Sequence, residues 1–318
     1  MVDRARAAVM VRPGLIEVRE FPVPALEDGA ILLRVDMCGI CGTDKHTWRG
    51  ESRQYAGTAA ESDTPYPIIP GHEIVGTAVE VNDRSGPRLD FDGQPVRVGD
   101  RLALCPDVIC GTCYACRHTY AYPWCENLRG YGNAFTCTEA PYLLGGWAEY
   151  LYVLPKAFVY HVPDELPDHI AVMAELMAVS YNLDKLKEFY TLAGEGMATG
   201  DTVVVQGAGP MGICHIIKAR MLGAGMLIAT DISDYRLGLA TEFGADCTLN
   251  VTQSSPQERI DQVRSLTHGR GADVVVECVG RAEVVVEGLE MLRKGGSYIE
   301  AGNFVETGDI TLSPHRHL

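Results

Sequence analysis

The chain has 318 residues, enough for two domains of ordinary size with substantial cores. It carries 27 Lys and Arg against 42 Asp and Glu, a formal charge of −15, which argues against the basic face that nucleic-acid binding needs. No apolar run reaches the roughly 18 residues of a membrane-spanning helix, and Asp3, Arg4 and Arg6 have no apolar core behind them, so neither a membrane anchor nor a secretory signal is expected. Eleven cysteines in such a chain point to metal binding rather than disulfides.

Residues 1 to about 160 read as β-rich, by strand and turn signals. Short apolar runs at Ile31–Val35, Ile74–Val81, Val98–Leu104 and Gly145–Val153 are separated by Pro, Gly and Asp turns, which predicts a barrel-like β domain. Between the first two runs lies Cys38-Gly39-Ile40-Cys41-Gly42-Thr43-Asp44-Lys45-His46. Its Cys-x2-Cys alone fits half of a zinc knuckle, a redox pair, or two buried cysteines. From Pro167 to Phe189 the apolar residues Ile170, Met173, Ala174, Met177, Ala178, Tyr181 and Leu186 recur at helical spacing, which predicts one bridging helix of roughly six turns.

From Gly200 the texture alternates strand and helix. Strands are expected at Thr202–Gln206, Met226–Asp231, Ala272–Glu277 and Ser297–Ala301, with helices at Ile213–Leu222, Tyr235–Phe243 and Ala282–Leu292. This alternation predicts a Rossmann-type, doubly wound parallel sheet. Gly207-Ala208-Gly209-Pro210-Met211-Gly212 fits G-x-G-x-x-G, follows a strand, opens a helix, and precedes Asp231 at the end of the next strand. That context marks a dinucleotide site, with pyrophosphate at the helix N-terminus and Asp231 on the adenosine ribose. A carboxylate there repels a 2′-phosphate and favours NAD over NADP, although Arg236 nearby could face a phosphate. Gly280, after the Ala272–Glu277 strand, completes the cofactor-binding candidates.

Cys110, Cys113, Cys116 and Cys125 can close a tetrahedral shell of four thiolates around a structural zinc. Cys105 reads as a strand-end cysteine, not a ligand. His118, His161 and His169 have no motif and read as surface residues.

Taken together, Cys38–His46, Pro70-Gly71-His72-Glu73, Val98-Gly99-Asp100-Arg101, the cysteine loop, Gly145–Tyr150, Glu175 and the glycine fingerprint, in this order, resemble the zinc-dependent medium-chain alcohol and polyol dehydrogenases of the sorbitol and threonine dehydrogenase type. The resemblance implies an α/β protein: a GroES-like, β-rich catalytic domain over residues 1–180 and an NAD-binding Rossmann domain over 181–318. It implies a catalytic zinc held by Cys41 and His72, with Glu73 a ligand or a hydrogen-bonding neighbour and Glu175 a ligand to zinc or its water. Thr43 and His46 take the family's proton-relay positions, Asp44 supports the ligand histidine, and Cys38 becomes a packing cysteine.

The implied activity is NAD-dependent oxidation of a secondary alcohol, polyol or sugar-like, with the metal stabilising the alkoxide and hydride passing to nicotinamide. Threonine 3-dehydrogenase, a primary alcohol or aldehyde dehydrogenase, and a non-catalytic zinc- and dinucleotide-binding protein are the alternatives. A small-molecule substrate, a dimeric or tetrameric homo-oligomer and a cytoplasmic location are expected, with no nucleic-acid or membrane partner. Four departures from the family pattern stand out: Leu176 where proline is frequent, a cysteine loop longer by one residue, an extra segment over Glu51–Thr64, and an end at Leu318 before the family's return segment.

Overall fold

The computed structural model describes residues 2–53, 61–118, 124–189, 195–303 and 305–317. They divide into two compact units, Met1–Glu175 and Leu176–Leu318. The extra segment and the cysteine loop each lie partly outside the described residues. No helix among the described residues is long and apolar enough to cross a membrane.

The first unit is built on antiparallel strands. A hairpin of β1 (Arg4–Arg12) and β2 (Leu15–Pro22), not foreseen from sequence, precedes β3 (Ile31–Cys38), α1 (Gly42–Arg49) and β4 (Ile74–Val81). Then come β5 (Arg101–Leu104), β6 (Asp107–Val108), α2 (Tyr114–His118), β7 (Arg129–Gly130), β8 (Tyr150–Val153) and β9 (Val159–His161). The main sheet runs β8-β3-β4-β5-β9, every pair antiparallel. Ile31, Leu33, Leu102, Leu151 and Val159 are fully buried in its core.

The strand expected over Gly145–Val153 enters the sheet only at Tyr150. Its first residues do other work. The Gly146 N–H donates to the Gly71 carbonyl at 2.8 Å and the Trp147 N–H to that of Pro70 at 2.9 Å. A side chain at Gly145 would meet the Ile69 and Pro70 backbone. This clasp fixes the segment that carries His72 and Glu73.

The single helix expected over Pro167–Phe189 is three: α3 (Asp168–Ala171), α4 (Ala174–Ser180) and α5 (Asn182–Phe189). The Met173 N–H bonds to Ile170, three residues back, and Ser180 Oγ donates to the Met177 carbonyl at 2.6 Å. The Tyr181 N–H bonds to the Ala178 carbonyl, also three residues back, so both junctions replace the four-residue ladder with a tighter backbone bond.

The second unit is a parallel sheet covered by helices. Its elements are β10 (Thr202–Gln206), α6 (Pro210–Met221), β11 (Met226–Asp231), α7 (Asp234–Glu242), β12 (Cys247–Asn250), α8 (Pro256–Leu266), β13 (Ala272–Glu277), α9 (Ala282–Met291), β14 (Leu292–Glu300) and α10 (Pro314–His317). The strand order is β12-β11-β10-β13-β14, all parallel. Val203 and Val205 pack toward α6, while Val204 and Val275 pack with Ile260 and Val263 of α8. Burial on both faces accounts for the unbroken valine runs. The order reverses between β10 and β13, and ligands of such sheets bind outside the strand ends at that switch point.

Candidate functional site

The Cys38–His46 stretch leaves the sheet at the end of β3 and turns into α1. Cys41 is the residue before the first turn of that helix. Asp44, only 4% exposed, accepts the Cys41 N–H at 2.8 Å and the Gly71 N–H at 3.3 Å. One carboxylate therefore ties the start of α1 to the Pro70–Glu73 segment. The support expected from Asp44 reaches His72 through the backbone of its neighbour.

The result is a tight group. One ligand atom each from Cys41, His72 and Glu73 lie within 4.8 Å of one another. His72 Nδ1 and Glu73 Oε1 are buried with no hydrogen-bond partner. Leaving such atoms unpaired is costly. A metal ion removes that cost, and thiolate, imidazole and carboxylate are donors zinc accepts. Gly39 makes room for the group, since any side chain there would run into the Glu73 carboxylate.

Carboxyls crowd around this trio. Burial raises Asp44, Glu73, Asp107 and Glu175, the last to about 7, and His72 is the cation that draws each of them down. Burial opposes the charge on His72, yet the hydrogen bond and charge of Cys41, then Asp44 and Glu175, raise it to about 9. Carboxyls held up by burial around one imidazole are groups that a bound divalent cation would stabilise in their ionised form. Glu175, at the start of α4, shares this field but lies outside the three-residue ligand group. Asp107 was missed from sequence because a lone acid in a two-residue strand gives no spacing signal.

Cys38 stands apart from the group. Its Sγ sits against the positions where Gly71 and Gly146 would carry side chains, and burial pushes its thiol up to about 12. That is the environment of a packing cysteine. Thr43 Oγ1 lies 3.8 Å from Cys41 Sγ. His46, about one turn further along α1, pairs its Nδ1 with Glu51 Oε2 at 2.9 Å. Gly50 ends the helix in the left-handed region at φ 79°, which folds Glu51 back onto His46. Glu51 had no role in the sequence reading.

The four-cysteine group also assembles. Cys110, Cys113, Cys116 and Cys125 place their sulfurs within 4.8 Å of one another. The sulfurs of Cys110 and Cys116 are 3.9 Å apart, and those of Cys113 and Cys125 are 4.0 Å apart. A tetrahedral shell with Zn–S near 2.3 Å needs about 3.8 Å between sulfurs. Donation to Cys110 Sγ from the Thr112 hydroxyl, the Thr112 N–H and the Cys113 N–H favours its thiolate. Cys105 stays outside, its Sγ donating to the Asp107 carbonyl at 3.9 Å.

His161 is more than a plain surface residue. It bridges Asp90 at 2.6 Å and Asp100 at 3.0 Å, one on each ring nitrogen.

In the second unit the glycine turn connects β10 to α6, with Gly209 before the helix and Pro210 and Met211 in its first turn. Each glycine has its own reason. Gly207 sits at φ 91°. A side chain at Gly212 would strike the Gly207 backbone. A side chain at Gly209 would meet only Arg236, at 4.0 Å, so the turn leaves the room a pyrophosphate needs. Asp231 closes β11, accepting the Ala208 N–H at 2.9 Å and the Ser233 N–H at 2.9 Å, with Arg236 at 3.7 Å. Gly280 follows β13, also left-handed, at φ 75°.

Comparison with known proteins agrees with this geometry. Residues 27–164 match the family model described as alcohol dehydrogenase GroES-like domain, and residues 210–317 the one described as zinc-binding dehydrogenase. The chain is 33% identical over 312 residues to a 5-exo-hydroxycamphor dehydrogenase of Pseudomonas putida, covering 98% of this chain and 80% of that protein. An erythritol/L-threitol dehydrogenase of Mycolicibacterium smegmatis is 31% identical, over 98% of this chain and 79% of that one. A solved alcohol dehydrogenase of Thermotoga maritima matches with a TM-score of 0.86 at 33% identity, over 99% of this chain and 82% of that one.

Proposed function

The chain belongs to the zinc-dependent medium-chain alcohol and polyol dehydrogenase family, and on that premise we propose that it oxidises a secondary alcohol of the polyol or sugar-like class, with NAD as oxidant. It is an oxidoreductase acting on CH–OH groups, and its cofactors are zinc and a nicotinamide dinucleotide. The observation that carries the reading is the Cys41–His72–Glu73 group, in which buried His72 and Glu73 each keep one polar atom without a hydrogen-bond partner.

Cys41, His72 and Glu73 hold the catalytic ion, and Glu175 adjoins them. When bound, zinc supplies Lewis acidity, which makes an alcohol hydroxyl easier to deprotonate. When bound, NAD supplies the hydride acceptor. The remaining work belongs to side chains. Thr43, beside Cys41, accepts the hydroxyl proton as its own hydroxyl proton passes on toward His46. His46 stands at the more exposed end of the path, and Glu51 holds its Nδ1, leaving Nε2 to exchange protons with solvent. Asp44 keeps Cys41 and the His72 segment in register. Gly207, Gly209, Pro210, Met211 and Gly212 cradle the pyrophosphate, with Gly280 in a neighbouring turn. Asp231 holds the adenosine ribose and excludes a 2′-phosphate, and Arg236 balances its charge. The Cys110 loop holds the structural ion.

The polyol preference is supported by the carboxylates Glu73 and Glu175 and by the erythritol/L-threitol dehydrogenase relative. A cytoplasmic homo-oligomer is the assembly proposed. The test is NADH formation by the zinc-replete protein across tetritols, pentitols, hexitols, L-threonine and primary alcohols, with and without chelator. Chelator-sensitive turnover highest on a polyol supports the reading. Turnover confined to L-threonine or to primary alcohols contradicts the substrate class, and none with any alcohol contradicts the activity.

A further inference from the structure

Glu277 is a carboxylate in the interior of the second unit, 0% exposed, at the last position of β13. Burying such a group is costly unless hydrogen bonds compensate it. Three donors converge on it. It accepts the N–H of Val279 at 2.5 Å, the N–H of Gly280 at 3.0 Å, and the side-chain amide of Asn303 at 3.4 Å. The first two belong to the turn after β13, the third to the turn after β14. Glu277 thus fastens two neighbouring turns at the C-terminal edge of the sheet.

Other contacts seal the same junction. The Ala301 N–H donates to the Glu277 carbonyl at 3.0 Å. Gly280 and Gly302 pack backbone to backbone, because a side chain on Gly302 would meet the Gly280 Cα at 2.9 Å, and one on Gly280 would meet the Gly302 carbonyl. Glu300 Oε1 accepts the N–H groups of Gly302 and Asn303 at 2.8 and 2.9 Å. The paired turns also border the glycine fingerprint: a side chain on Gly207 would meet Val279 Cγ2 at 2.9 Å.

Their place in the sheet says what they border. The crevice opens between β10 and β13, and the adenosine half lies toward β11, where Asp231 ends the strand. The other half of the dinucleotide must then extend over the ends of β13 and β14. We infer that Glu277, with Asn303, is a positioning residue that clamps the two turns against which the nicotinamide half of the cofactor rests. Both oxygens of Glu277 accept at this junction, and burial together with the neighbouring Glu300 carboxylate pushes its pKa up to about 7. A glutamine keeps one accepting oxygen for donors that reach both, so at least one of these bonds is lost.

This inference rests on the dinucleotide reading, and the experiment separates the two. Dissociation constants for NAD and for ADP-ribose, which lacks nicotinamide, are measured by calorimetry on the zinc-replete full chain. For Glu277→Gln, loss of one hydrogen bond predicts that the NAD constant rises about 10-fold, while that for ADP-ribose changes by less than about twofold. Equal weakening of both ligands, or unchanged NAD binding, overturns the clamp. Asn303→Ala, at a half-buried position in the second turn, carries the test if Glu277→Gln does not fold. It should raise the NAD constant about 3-fold with ADP-ribose unaffected, and no selective rise overturns the clamp equally. Wild-type protein that binds neither ligand overturns the dinucleotide reading itself.

Discussion

Asp44→Ala should damage stability and metal binding together. The carboxylate accepts two backbone N–H groups, from Cys41 at 2.8 Å and from Gly71 at 3.3 Å, in a site 4% exposed. A hydrogen bond to a charged acceptor contributes about 1.5–3 kcal/mol. The second bond is long, and removing a buried carboxylate recovers part of its desolvation cost. The net loss should be about 2–3 kcal/mol. The larger consequence is geometric, because the bond pair holds the Cys41 turn to the His72 segment. Supporting residues of this kind change metal affinity by about 10–100-fold. Urea unfolding of the metal-free protein measures the first effect, free of metal coupling. Competition with a chromogenic chelator measures the second. Only the site at Cys41 should weaken, while the Cys110 loop keeps its ion. A variant within about 0.5 kcal/mol of wild type, with both ions held as tightly, would refute the tie.

Two further outcomes follow from other parts of the molecule. Gly209→Ala should leave stability within about 0.5 kcal/mol of wild type, since the added Cβ would meet only Arg236, at 4.0 Å, yet weaken NAD binding by filling the pyrophosphate space. Gly212→Ala should also cost about 1–3 kcal/mol of stability through overpacking against Gly207; unfolding and NAD titrations on both variants separate these effects. The Asp90–His161–Asp100 bridge should make stability pH-dependent. Burial alone would lower the His161 pKa, but its bonds to Asp90 and Asp100 raise it, so its contribution is complete below the unfolded value near 6.5 and is lost as pH rises through the raised value. Burial alone would raise Asp90 and Asp100, but bonds to His161 lower both, so their contribution is present above about 3.9 and lost as pH falls through the lowered values. The gap in urea midpoint between wild type and His161→Gln should therefore be widest near pH 5.5, worth about 1 kcal/mol, and narrow by pH 9. A constant gap would contradict the bridge.

Much of this was legible in the residues themselves. Ile74–Val81 and Thr202–Gln206 are strands over the ranges their β-branched runs indicate. The four cysteines gather as their spacing predicts. Failures came where tertiary contacts override local pattern. Gly145–Trp147 looks like the start of a strand, but its backbone is spent on Pro70 and Gly71. Periodicity over Pro167–Phe189 does not register the three-residue backbone bonds, Met173 to Ile170 and Tyr181 to Ala178, at which the helix divides. Helix α8 went unnoticed although Ser255 and Glu258 form a capping box at its start, because it buries little beyond Arg259, Ile260 and Val263. The roles of Glu51 and Glu277 could not be seen, since each depends on a turn that folds the chain back onto it.

The most direct test of the central claim is zinc content and NADH formation in Cys41→Ser. Metal analysis should find two zinc ions per wild-type chain and one in the variant, retained by the Cys110 loop. Alcohol oxidation by the variant should fall to background while NAD still binds. A variant that keeps both ions and its activity would contradict the assignment of Cys41 to the catalytic metal.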